Sequence, residues 1–253
     1  TRLVGSEMCI RDSPMATFGV IISNRSFFPD HLVLTAREKL LQSMEKWGHK
    51  VIILSTEDTC MGETMTYDEA QKCAALFRAH AEEIDGIIVC LPNFGEETGV
   101  ADAIRWSRLD CPVLIQACDD DFDKLQLENR RDAFCGKLSV CNDLYQLGIP
   151  FTDTSTHTCR IDSPEFRADI ERFAAVCRVT KALRSARIAL LGVRPSAFRT
   201  VRFSEKLLQR AGVDVETVDM STVIHRAEAI RDAALIDKKA AEIRAYGAVP
   251  PYI

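Results

Sequence analysis

Five short runs hold the residues whose types could do chemistry, and each follows an apolar run or opens a helix-like one. In Ser23-Asn24-Arg25-Ser26, Arg25 can bind a hydroxyl, a carboxylate or a phosphate, or stand as a solvated loop arginine. In the run 91–97, LPNFGEE, Asn93 offers an amide and Glu96 and Glu97 offer paired carboxylates. Paired carboxylates can act as general acid and base. They also suit the first turn of a helix, where the dipole favours negative charge, and that reading fits better here. Asp119, Asp120, Asp121 and Asp123 crowd the next run and could attract a divalent ion. The Gly and the closing Glu of a calcium loop are missing at the required offsets, so a solvated acidic loop is expected.

In Phe134-Cys135-Gly136-Lys137, a glycine before a lysine at a helix start can cradle an anion. The run is not a Walker motif, because Arg131 stands where the first glycine belongs. No histidine partners Cys135, so nucleophilic catalysis has no support. In the fifth run Gly192 permits a tight strand exit, Pro195 stiffens the loop and Arg194 projects from it. No G-x-G-x-x-G fingerprint follows any strand.

The chain of 253 residues is 47% hydrophobic and 27% charged, a globular composition. Its net charge of -5 and lack of a Lys/Arg cluster argue against nucleic-acid binding. No apolar run reaches the ~20 residues of a membrane span. Ten cysteines without a C-x-x-C pair, several inside apolar runs, suit a reduced, cytoplasmic protein. Five dispersed histidines give no zinc spacing.

These runs are positioned by alternating strands and helices. Strands are expected over 18–23, 50–54, 85–91 and 112–117. Helices are expected over 31–47, 67–82 (opened by Thr66), 96–108 and 137–147. Continuous Val/Ile/Leu runs mean burial on both sheet faces. The expected fold is therefore α/β, a doubly wound parallel sheet, with the first domain over 15–162. A helix at 163–185, capped by Ser163 with Pro164 in its first turn, is read as a link. A second, incomplete α/β domain over 186–253 follows, with strands at 187–192 and 213–218 and helices at 201–211 and 222–246. Residues 1–14 have no periodicity and resemble translated sequencing-adapter read-through, so Met15 is the expected start. Nothing in 249–253 closes a domain, and truncation of the reading frame is expected.

Taken together, Leu91-Pro92-Asn93-Phe94-Gly95-Glu96, the run 131–137 (RDAFCGK), Ser139 to Asn142, Gly148 to Thr152 and the run 192–198 (GVRPSAF) resemble the L-fucose/L-arabinose isomerase family. The resemblance extends over 18–246. It implies a cytoplasmic homo-oligomer that interconverts an aldose and a ketose with manganese, the ion polarising carbonyl and hydroxyl oxygens. It implies that the metal ligands lie beyond Ile253, so that the fragment binds no metal, supplies no catalytic residue and is inactive. It also implies that the first domain helps cover a neighbouring subunit's pocket, with Arg25, Asn93 and Lys137 as contacts to a monosaccharide and Arg194 supporting an interdomain cleft. The alternative is a non-enzymatic sugar-binding or sensing α/β protein, which would bring an export signal or a DNA-binding helix-turn-helix; neither precedes residue 18.

Overall fold

A computed structural model describes residues 15–247. The expectations for 1–14 and for 249–253 lie outside the described residues. The chain divides into two units, meeting near residues 182 and 183.

The first unit runs β1 (Thr17–Ile22), α1 (His31–Lys46), β2 (Lys50–Ile53), α2 (Tyr67–Ala79), β3 (Gly86–Leu91), α3 (Glu97–Ser107), β4 (Val113–Ala117), α4 (Ala133–Gln146), β5 (Thr152–Asp153) and α5 (Pro164–Leu183). All five strands are parallel, in the order β2-β1-β3-β4-β5. Alternate residues of each strand face opposite layers. Phe18, Val20, Ile22, Ile88 and Leu114 pack with Val33, Leu40 and Met44 of α1 and Phe166, Ile170 and Phe173 of α5. Ile21, Ile87, Val89, Leu91 and Ile115 pack with Phe77 of α2, Val100 and Ile104 of α3 and Val140 and Leu144 of α4. Apolar side chains on both faces are why the strands read as unbroken apolar runs. This is the doubly wound sheet expected.

Local signals set the helix ends. Thr66 and Glu69 form a reciprocal capping box at α2. The Ser163 hydroxyl accepts the Phe166 N–H at 3.1 Å and starts α5. That helix buries Phe166, Ile170, Phe173, Ala174 and Cys177 within the core of the first unit.

Two features of this unit depart from the expected elements. The short strand β5 pairs with β4 through two residues, too few to leave a sequence signal. Helix α4 begins at Ala133, four residues before the expected start at Lys137. Gly136, taken as a loop residue, lies inside the helix. A Cβ there would collide with the carbonyl of Phe94. The glycine therefore marks a close approach of α4 to the β3–α3 loop, not a turn.

The second unit pairs β6 (Arg187–Leu191) with β7 (Asp214–Val218) in parallel. Helix α6 (Glu205–Arg210) starts at the Ser204 cap, later than the expected residue 201. The expected single helix over 222–246 is two, α7 (Met220–Ala229) and α8 (Ala233–Tyr246). Asp219 and Asp232 accept the Ser221 and Leu235 N–H groups and start each anew. No described helix is long and apolar enough to cross a membrane.

Gly136→Ala should cost about 1–3 kcal/mol, because the overpacked methyl must push back a backbone carbonyl. Urea unfolding measures it; an unchanged midpoint would show that the loop relaxes freely.

Candidate functional site

The strand order reverses between β1 and β3: the chain leaves β1 for β2 on one side and returns to β3 on the other. Ligands of open α/β sheets bind at such a switch point, beyond the carboxyl ends of the strands. The loops leaving β1 and β3 meet there. The Ser23 hydroxyl accepts the Glu96 N–H at 2.8 Å. The Asn93 side chain donates to Asn24 Oδ1 at 2.6 Å, and Asn24 donates to Asp30 Oδ1 at 2.9 Å. Asn93 Oδ1 accepts the Gly95 N–H at 3.0 Å and shapes the turn, where Gly95 takes φ +71°. Asn24 and Asn93 are buried, so their mutual bond meets a requirement of the interior rather than a preference of the surface.

Above this pair lies Arg25. Its guanidinium bonds Glu96 Oε1 at 3.1 Å and Glu97 Oε2 at 2.5 Å and covers the Phe94 ring at 4.4 Å. Phe94 in turn stacks on Phe28 at 5.9 Å. The side chains of Arg25, Glu96 and Glu97 are each about 30% exposed, open to a ligand but held in place. Two buried polar atoms here have no partner among the described residues, Arg25 Nε and Glu63 Oε2. Glu63 is 3% exposed, and burial pushes its carboxyl above the ordinary value although the Asn24 side chain hydrogen-bonds to it. Glu63 left no signal in the sequence. It arrives because Thr64 bridges Ser23 just past the sheet and draws the loop before α2 into the crevice.

Arg25 and Asn93 are thus brought together. Lys137 lies on the β4–β5 side, 3% exposed. Its ammonium bonds Thr154 Oγ1 at 2.7 Å and the His157 carbonyl at 2.9 Å and pairs with Asp153, so its three protons have protein acceptors. Arg194, in the second unit, turns back on its own loop, donating to the carbonyls of Pro195 at 3.1 Å and Phe198 at 2.7 Å.

Beyond β4 opens a cleft of about 790 Å³, lined by residues 118–123, Arg131, Phe134 and His157 among others. The acidic run on its rim has local work: Asp120 Oδ1 accepts the Arg131 and Asp132 N–H groups at the approach to α4. Arg131, missed in the sequence as a site residue, donates to the Pro92 carbonyl at 2.7 Å and so ties this cleft to the β3 loop. Among the described residues no three His, Cys, Asp or Glu side chains are grouped to hold a metal ion.

Residues 19–184 match the family described as fucose/sulfoquinovose isomerase, N-terminal domain. The matched span takes in the whole switch-point network. Comparison with curated proteins gives no match.

The folded protein holds the Glu63 proton more tightly than the unfolded chain does. Stability from this group therefore falls as pH climbs from the ordinary carboxylate value through the raised folded one, and is level above it. Glu63→Gln keeps the shape and removes the titration. Its melting temperature should exceed the parent's at about pH 7, with the gap closing near about pH 4; a constant gap would mean Glu63 is ionised alike in both states. Lys137→Met should lower stability by about 1–3 kcal/mol, since Asp153, Thr154 and the His157 carbonyl lose one shared donor. A full-strength melting temperature would show that water replaces the ammonium at no loss.

Proposed function

The chain belongs to the fucose/sulfoquinovose isomerase family, and from that premise we propose that the complete protein is a metal-dependent aldose–ketose isomerase of the cytoplasm, with a monosaccharide as substrate and a homo-oligomer as its working form. In this reading the first unit binds and orients the sugar and helps cover a neighbouring subunit's pocket. Manganese is the expected ion. The described residues do not fit it, since none form a ligand group, and no step here is routed through it.

The observation that carries the reading is the polar network at the β1–β3 switch point. A sugar hydroxyl both donates and accepts. The crevice supplies donors and acceptors side by side: the Arg25 guanidinium, the Glu96 and Glu97 carboxylates and the linked amides of Asn24 and Asn93. Arg25 is the direct contact, and Asn93 holds both the Arg25 strand end and the Gly95 turn in register. Lys137 acts at one remove, by tying α4 to the segment that walls the cleft beyond β4. Arg194 is occupied by its own loop.

The charge at this crevice also bears on the substrate. One guanidinium faces two carboxylates, so the exposed edge carries no surplus positive charge. Such an edge suits a neutral aldose better than a sulfonated one, which asks for unpaired cations.

The test uses the complete gene product with manganese and a panel of L-fucose, L-arabinose and sulfoquinovose, read by ketose formation. Turnover of a neutral sugar that stops on chelation is expected. Arg25→Ala should lower kcat/KM by roughly tenfold to a hundredfold, equivalent to ~1.5–3 kcal/mol, with bound manganese unchanged. No turnover of any sugar would sink the isomerase reading. Turnover with an unaffected Arg25→Ala would leave the reaction standing and remove Arg25 from the site.

A further inference from the structure

Three cysteines from separate segments converge beside the cleft beyond β4, packed in the core but unused by the proposed reaction. Cys90 is the next-to-last residue of β3 and Cys118 follows β4. Cys159 is laid alongside by the bond from its N–H to the Ala117 carbonyl at 3.0 Å. All three are buried on the same side of the sheet. At their centre is Gln116, itself fully buried. Its amide nitrogen lies 3.7 Å from Cys118 Sγ, 3.9 Å from Cys159 Sγ and 2.9 Å from the Cys159 carbonyl. Its oxygen has no partner among the described residues. Cys118 differs from its neighbours in one respect of access: it lines the cleft, with Arg131 and His157 on the same wall.

We propose that Cys118 is a peroxide-reactive thiol and that Cys159 resolves it as an intramolecular disulfide. The geometry supplies each part. One amide donor touches both sulfurs, and the backbone bond from Cys159 to Ala117 holds the two segments side by side. The cleft admits a small oxidant to Cys118. The surroundings favour its thiolate. The Cys90 S–H donates to it, and Arg131 and Gln116 add to the effect, so its acidity rises despite burial. Burial pushes Cys159 up to about 12, so it stays a thiol at rest and must pass its proton to the departing hydroxyl as it attacks.

The reaction balances with a hydroperoxide as oxidant. The Cys118 thiolate attacks the peroxide, the O–O bond breaks, and sulfenic acid and hydroxide form; the hydroxide takes a proton to become water. The Cys159 sulfur then displaces the hydroxyl of the sulfenic acid, the S–S bond forms, and the Cys159 proton leaves with that hydroxyl as a second water. Two thiols are oxidised by two electrons and one peroxide is reduced.

The experiment treats the fully reduced protein with hydrogen peroxide, blocks remaining thiols by alkylation and maps tryptic peptides. Cleavage after Arg108, Lys124, Lys137 and Arg160 puts Cys118 and Cys159 on different peptides, and fragment sequencing separates them from Cys111 and Cys141. The expected product is a Cys118–Cys159 cross-link, lighter by two hydrogens and reversed by dithiothreitol. Cys159→Ser should leave a Cys118 sulfenic acid that dimedone traps. Mapping the unaltered protein keeps the proposal falsifiable should that variant fail to fold. A Cys118 that stays alkylatable while exposed Cys60 or Cys135 oxidises overturns it, as does a cross-link from Cys118 to Cys90.

Discussion

Everything in the first unit depends on a central strand with no exposed surface. All six residues of β3 are buried, and the strand is covered on one face by α1 and α5 and on the other by α2, α3 and α4. A backbone so enclosed must satisfy its polar groups at its ends as well as along its edges. The ends of β1 and β3 do this by bonding to each other: Ser23 N–H to the Cys90 carbonyl at 3.1 Å, Ser23 Oγ to the Glu96 N–H, and Asn24 to Asn93. The polar seam at the switch point is thus a consequence of the sheet's burial before it is a binding site. Its geometry is held by the same contacts that hold the fold.

The sheet was legible because burial writes itself as apolar-rich runs in β1 to β4, although β2 begins on Lys50 and β4 carries Gln116. The helices were legible where a capping residue stood at the start, as with Thr66 and Ser163. What was hidden is equally physical. Strand β5 is two residues long. Gly136 looks the same in sequence whether it stands before a helix or admits a neighbouring carbonyl within one. Asp232 could break a helix or ride on its surface, and only the bond from its side chain to the Leu235 N–H decides.

Arg25 and Asn93 drew notice in the sequence because each stands two or three residues past a strand, and the two strand-end loops do meet. Asn24 stood in the same quoted run without being singled out. Glu63 was invisible, because what brings it to Ser23 is a single bridge between Ser23 and Thr64, a tertiary event with no local pattern. The cysteines read correctly as small buried hydrophobes one at a time. Their convergence on Gln116 depends on the β3–β4 register, which pairs Cys90 with Gln116, and on the return of residue 159 to Ala117.

Two cations that look alike in sequence part company once their protons are counted. Lys137 has three donors and three protein acceptors, in a place water hardly reaches. A ligand could engage it only by breaking bonds that the fold already uses, and the loss would offset most of the gain. Arg25 has five N–H groups. Two carboxylates hold its orientation, both through Nη2, one ring supports its plane, and the side chain stays 29% exposed. Such a side chain is positioned without being saturated, the condition a binding residue must meet if it is to add contacts without first losing them. The difference does not lie in the charge, which both carry. It lies in how many acceptors the surrounding chain brings to each, and that number is set by the packing of α4 against β5 in one case and of two strand-end loops in the other.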